Sequence, residues 1–234
     1  ISKENLNLLK FLATIIIDGS KGEIRNSIKE IEEEYLEKYK TIENEPENIL
    51  IETPSNNDVD ILSDTDRLKY FNEYGAFEED GKEYLIKVNK NNRLPTVWSH
   101  IMANEKFGTL VTENMGGYTW YKNSRLNRVT SWQNQPNFDT PSEIIFMKDL
   151  DSKKVWSLGL NPMPDDKNYN ITYEFGHAKY VHKSDEIEQT LEIFVPKEDS
   201  VKVQILTLKN TSLNRKRVKL VYYAKPVLGE DEIK

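Results

Sequence analysis

From about Tyr70 onward the chain is written in a period of two. Ile187, Leu191, Ile193 and Val195 alternate with Glu186, Glu188, Thr190 and Glu192, which gives one apolar face and one wet face, the pattern of a half-buried strand. Val201, Val203 and Ile205, then Val218, Leu220 and Tyr222, repeat the pattern on either side of residues 210–217 and predict a hairpin. Tyr84 to Val88 reads as a strand after the Asp80-Gly81 turn signal. Ile144 to Met147 reads as another, followed by a turn at Asp149 to Lys153 and a short strand at Val155-Trp156. Short strands with no helical crossovers between them predict a mainly β fold, an antiparallel β-sandwich.

The preceding residues follow a different period. Leu6, Leu9, Ala13 and Ile16 fall at three- and four-residue spacing behind Ser2 as N-cap, with Asp18-Gly19 as a stop. Ile24, Ile28, Ile31, Tyr35 and Tyr39 form a second stripe, flanked by the solvated carboxylates of Glu30, Glu33, Glu34 and Glu37. Residues 1–40 are therefore expected to be a short two-helix segment. Residues 41–69 are expected to be an acidic linker, because they carry eight acidic residues and no lysine or arginine before Arg67. Residues 70–234 form the expected β-sandwich domain.

Charge and composition remove several function classes. The 234-residue chain carries a formal charge of −7, whereas a nucleic-acid surface needs a concentrated Lys/Arg face. Its densest basic run, Arg215-Lys216-Arg217, sits in the expected turn and reads as solvated. With no cysteine there is neither a disulfide framework nor a thiolate metal site. The three histidines, His100, His177 and His182, are too scattered for a zinc site. No run reaches the ~18 apolar residues of a membrane span, and Phe11 to Ile17 lacks the features of a signal peptide. A cytoplasmic location is the expectation. The chain opens on Ile and closes on a charged stretch, and it is expected to be a piece of something longer.

Between Gly116 and Glu143 the sequence mixes Trp120 and Trp132 with Arg125, Arg128, Asn123, Asn127, Gln133, Asn134, Asn137, Asp139 and Glu143. A sugar ring is apolar on its faces and hydroxylated at its rim, so it needs aromatic planes together with directed donors and acceptors. The same mixture also serves as a buried polar network bracing a long loop. Arg125 and Arg128 would hold sugar hydroxyls, phosphate, or the carboxylates of Asp139 and Glu143. Gly116-Gly117 reads as a turn or a close approach of strands. Trp98, Trp156 and Phe107 sit in apolar strand-like surroundings and read as core.

The run Phe107-Gly108-Thr109-Leu110-Val111, then Gly116-Gly117-Tyr118-Thr119-Trp120, Asn123-Ser124-Arg125, Asn127-Arg128, Trp132, Asn134, Pro136, Asp139, Val155-Trp156-Ser157 and Phe194-Val195-Pro196 resembles the amino-terminal β-sandwich, of supersandwich type, of glycoside hydrolase family 94, formerly glycosyltransferase family 36. The Asn-Ser-Arg-x-Asn-Arg run is most similar to the branch of cyclic β-1,2-glucan synthases and 1,2-β-oligoglucan phosphorylases. Gln135 stands where the family usually has Asp, and His177 is displaced from its usual motif.

The resemblance implies a non-catalytic portion of an inverting phosphorylase or glycosyltransferase. Its parent would act on a β-linked gluco-oligosaccharide with inorganic phosphate as co-substrate, and it implies no other cofactor, no metal and no catalytic residue within this segment. The implied partners are the (α/α)6 catalytic barrel of the parent chain and a second copy in a homodimer, with no nucleic-acid or membrane contact. It also implies that Trp120, Asn123, Arg125, Arg128, Trp132, Asn134 and Asp139 contribute to the sugar-binding cleft. A free-standing carbohydrate-binding module is the alternative. A self-sufficient glycosidase would need Asp139 and Glu143 as an acid pair, and Pro141 between them breaks any regular helical face.

Overall fold

The structure, a computed structural model, describes residues 67–133 and 139–230 together with Ile28, Lys29, Glu33 and Leu62. The chain divides into two compact units, Ile1–Asn48 and Ile49–Lys234. The expected two-helix segment and most of the acidic linker lie outside the described residues, as does Asn134. What is described is mainly β and antiparallel throughout.

The largest sheet has seven strands in the order β1 (Leu68–Lys69), β2 (Gly75–Glu78), β3 (Tyr84–Val88), β10 (Tyr169–Glu174), β11 (His177–Ser184), β12 (Ile187–Phe194) and β13 (Val203–Asn210). A five-stranded sheet runs β15 (Pro226–Gly229), β7 (Arg128–Thr130), β6 (Gly117–Tyr121), β5 (Phe107–Thr112) and β4 (Ser99–Ala103). A three-stranded sheet runs β14 (Val218–Ala224), β8 (Glu143–Asp149) and β9 (Val155–Ser157).

The inner face of the seven-stranded sheet meets both smaller sheets. Ile86, Ile171, Tyr180, Leu191 and Ile193 pack with Met102 and Val111 of the five-stranded sheet. Farther along, Ile187 packs with Met147, Trp156 and Leu158. Side chains alternate sides along a strand, and in β11 and β12 every second residue is buried, as the sequence period requires. Polar pins cross the layers. Tyr180 donates its hydroxyl to the Thr112 carbonyl at 2.8 Å, and Tyr173 donates to the Trp98 carbonyl at 3.1 Å. Trp156 Nε1 donates to Gln189 Oε1 at 3.0 Å, while Gln189 Nε2 donates to the Leu158 carbonyl at 3.1 Å. Trp156 is core, as expected; Trp98 is half-buried and packs against the core, and Phe107 is half-buried.

Two expectations are corrected. Residues 203–210 and 218–224 do not form a hairpin: β13 pairs with β12, and β14 crosses to β8 with Leu220 opposite Met147. The intervening loop is tied down elsewhere. Lys216 Nζ lies 3.1 Å from both Asp149 Oδ2 and Asp185 Oδ2, and Arg217 Nε donates to Asp151 Oδ1 at 2.9 Å. Lys216 is therefore not a solvated turn residue. Burial alone would lower its pKa, but the hydrogen bonds and charges of Asp185 and Asp149 raise it. The chain is thereby delivered to the β8 edge, and β14 is exposed along its whole length, including Leu220, Val221, Tyr222 and Tyr223.

Asp149 is fully buried, so removing its cation leaves an uncompensated charge. Lys216→Ala is expected to destabilise the domain by about 3 kcal/mol, measured as a loss of unfolding free energy in urea.

Candidate functional site

Strand β6 organises the polar block by presenting two faces. Tyr118 and Trp120 point to one side, and Gly117 and Thr119 point to the other. On the first side the Tyr118 ring stacks on Trp132 with centroids 5.7 Å apart and planes 17° apart, and it meets Trp120 at 5.2 Å. Arg128, paired with Trp120 across the ladder, lays its guanidinium 4.6 Å from the Tyr118 ring centroid. Its Nη1 donates to the Trp132 carbonyl at 3.3 Å and its Nε to the Ser124 carbonyl at 3.2 Å. The Trp120 indole packs onto Gly108, where any side chain would run into it. The result is a half-buried ladder of three aromatic rings clamped by one cation.

Asn123 opens the loop beside this ladder. Its Oδ1 accepts from the backbone N–H of Arg125 at 2.9 Å and of Leu126 at 2.8 Å, an Asx turn that fixes the chain reversal. Residues 122–127 are exposed. Arg125 pairs with Glu230 at 3.3 Å across open surface, not with Asp139 or Glu143.

Asp139 lies behind the ladder and is 5% exposed. Its Oδ1 accepts from Trp132 Nε1 at 2.8 Å. Its Oδ2 accepts from Thr112 Oγ1, and from Asn114 Nδ2 at 3.2 Å. Its carbonyl accepts from Asn161 Nδ2 at 3.0 Å. A Cβ on Gly116 would collide with the Asp139 carboxylate, so the glycine is there for close approach.

Glu143 belongs to a separate network on the opposite face of β6. Its Oε1 accepts from Thr119 Oγ1 at 2.9 Å and Thr130 Oγ1 at 3.1 Å, and its Oε2 lies 2.7 Å from Lys202 Nζ. Burial alone would raise its pKa, but the Lys202 ammonium and these hydrogen bonds outweigh it and hold the carboxyl below its ordinary range. Asp139 and Glu143 thus sit in different hydrogen-bond sets and do not face each other as an acid pair.

Sequence reasoning overlooked Glu113 and Asn114, which follow the last residue of β5. Glu113 is 3% exposed; its Oε2 accepts from the Trp98 N–H at 2.9 Å and its Oε1 from Asn114 Nδ2 at 2.8 Å. Asn114 therefore bridges Glu113 and Asp139, and both carboxylates line a polar cavity of about 220 Å³ with Arg93 and Asn161. Burial, with the Asp139 charge adding to it, pushes the Glu113 carboxyl up to about 7. The only signal in the sequence was the polar Thr112-Glu113-Asn114 run closing an apolar strand. Among the described residues no group of three or more His, Cys, Asp or Glu is placed to hold a metal ion.

The described residues form an antiparallel β-domain of three sheets with an aromatic, amide and guanidinium face. The chain belongs to the glycosyl hydrolase 94 supersandwich domain family, whose model matches residues 82–234. It is 31% identical to an N,N'-diacetylchitobiose phosphorylase of Vibrio proteolyticus over 59% of this chain and 17% of that protein. It is 28% identical to the cyclic beta-(1,2)-glucan synthase NdvB of Rhizobium meliloti (strain 1021) over 70% of this chain and 6% of that protein. A 3-O-beta-D-glucopyranosyl-beta-D-glucuronide phosphorylase of Paenibacillus borealis is 22% identical over 63% of this chain and 18% of its own length. The chain thus spans less than a fifth of each relative.

Glu113 gives a pH signature with a definite sign. Its folded pKa, about 7, lies above the ordinary 4.5, so between those values the folded state holds a proton that the unfolded state has lost. Stability therefore falls as pH rises through that window, by on the order of 3 kcal/mol for this group. Glu113→Gln is expected to remove that part of the fall, measured as unfolding free energy at pH 4.5 and pH 7.5.

Proposed function

We propose that this chain is the non-catalytic supersandwich portion of a glycoside phosphorylase or glucan synthase acting on β-linked gluco-oligosaccharides, with β-1,2-glucan as the favoured linkage. The observation that carries the reading is the ladder of Tyr118, Trp120 and Trp132 clamped by Arg128, set beside the exposed loop of Asn123 and Arg125. Aromatic planes accept the apolar face of a glucose ring, and the neighbouring amide and guanidinium groups reach its hydroxyls. Asp139 acts one layer back by fixing the Trp132 indole through its N–H. Asn134 completes the set by sequence position.

In this reading the catalytic acid and the phosphate site belong to an (α/α)6 barrel of the parent chain. The sandwich lends its loop face to the sugar cleft and supports a homodimer in the cytoplasm. Support for the substrate class comes from the relatives' names: two carry a beta linkage, in a beta-(1,2)-glucan synthase and a beta-D-glucopyranosyl-beta-D-glucuronide phosphorylase, and two are phosphorylases. The favoured linkage rests on the Asn123-Ser124-Arg125-x-Asn127-Arg128 run.

Trp120→Ala in the full-length parent tests the assignment. It is expected to lower kcat/KM for gluco-oligosaccharide about tenfold, equivalent to ~1.4 kcal/mol, with a native melting profile. Unchanged kinetics in the folded variant would assign the ladder to bracing the fold. The chain alone, given β-linked gluco-oligosaccharide and phosphate, is expected to release no sugar 1-phosphate. Release at the parent's rate would place catalysis inside it.

A further inference from the structure

A mainly apolar cavity lies away from the polar block. It opens where the start of β3 and the end of β10 meet the start of β4, and it has a volume of about 400 Å³, within the ~300–1,000 Å³ range of small-molecule sites. Its walls are the rings of Phe77, Tyr84, Trp98, His100, Tyr173 and Phe175. Tyr84 anchors one wall, with Phe77 edge-on at 4.7 Å and Trp98 tilted at 5.8 Å. His100 stacked on Tyr173 at 4.9 Å forms the other. Phe175 is 96% exposed at the turn between β10 and β11, where an aromatic ring in water gains nothing from the fold.

We infer that this cavity is a second saccharide-binding site, taking the neutral, hydroxyl-rich ring of a β-linked gluco-oligosaccharide; the choice of glucan rests on the family reading above. Its rim carries charges of both signs, Lys82 and Glu174, together with the Ser99 hydroxyl. Such a rim offers donors and acceptors without selecting for an anion or a cation. The Tyr84 hydroxyl accepts from Asn72 Nδ2 at 3.1 Å and keeps its own proton to donate. His100 Nε2 is buried, so the stacked ring serves the wall as an aromatic plane. Burial lowers the His100 pKa and keeps the ring neutral, in line with an uncharged ligand. A lining of aromatic planes with mixed donors and acceptors suits a pyranose better than an apolar peptide, which would leave the polar groups desolvated and unpaired.

An NMR titration of the chain with a β-1,2-linked glucose trimer tests the inference. Saturable shifts are expected at the amides of Gly81, Ser99 and Phe175. Phe175→Ala removes one ring at a position that does not support the core, and it is expected to weaken binding about three- to tenfold at an unchanged melting temperature. Tyr84→Phe, which deletes only the rim hydroxyl, is expected to weaken it by a smaller factor. Absence of saturable shifts, or equal affinity in Phe175→Ala, would overturn the inference. Shifts confined to Tyr118, Trp120 and Ser131 would also overturn it, while supporting the polar-block reading, so the two assignments fail separately.

Discussion

A carboxylate taken out of water must have its oxygens hydrogen-bonded or it destabilises the fold by several kcal/mol, and Asp139 meets that requirement by drawing in two parts of the molecule. Thr112 and Asn114 come from the end of β5 and Trp132 from the loop after β7, while Asn161, from the segment after β9, holds the backbone carbonyl of the same residue. Thr112 is in turn held through its carbonyl by Tyr180 of the seven-stranded sheet. One buried charge therefore sets where two sheets and a loop meet, and it fixes the indole that Tyr118 stacks upon. Gly116 has no side chain because that charge occupies the space.

The two faces of β6 divide the labour. Thr119 turns inward to Glu143, which ties it to Lys202 and to the Tyr222 hydroxyl, 3.2 Å away. Tyr118 and Trp120 turn outward. An inward network that locks the strand lets the outward rings keep a fixed spacing, which a recognition surface requires.

The strands were legible where one face meets the core, because period-two alternation follows directly from burial: β3, β8, β9 and β12 fall where the pattern puts them. The Asp80-Gly81 turn was also legible, since Gly81 has a positive φ of 72°. The pairing of β14 was not. Its alternation is compatible with either neighbour, and the choice is made by Lys216 and Arg217 reaching carboxylates 67 and 66 residues away. The polar block was legible as chemistry, yet its division into Asp139 and Glu143 networks depends on Thr112, Lys202 and Tyr222, distant in sequence. Glu113 was missed because a lone glutamate at a strand end looks like a solvated residue until the fold closes over it.

Strand β14 hydrogen-bonds only to β8 among the described strands, and apolar side chains stand out on both of its sides. Such an open margin is a template onto which a foreign strand can be added. The sequence supplies its own deterrent there, since Lys219 puts a positive charge on the strand itself, and such a charge opposes an incoming flat sheet. Colloidal behaviour at low salt, where that repulsion is unscreened, will therefore differ from behaviour at high salt, where the apolar margin is free to recruit neighbours.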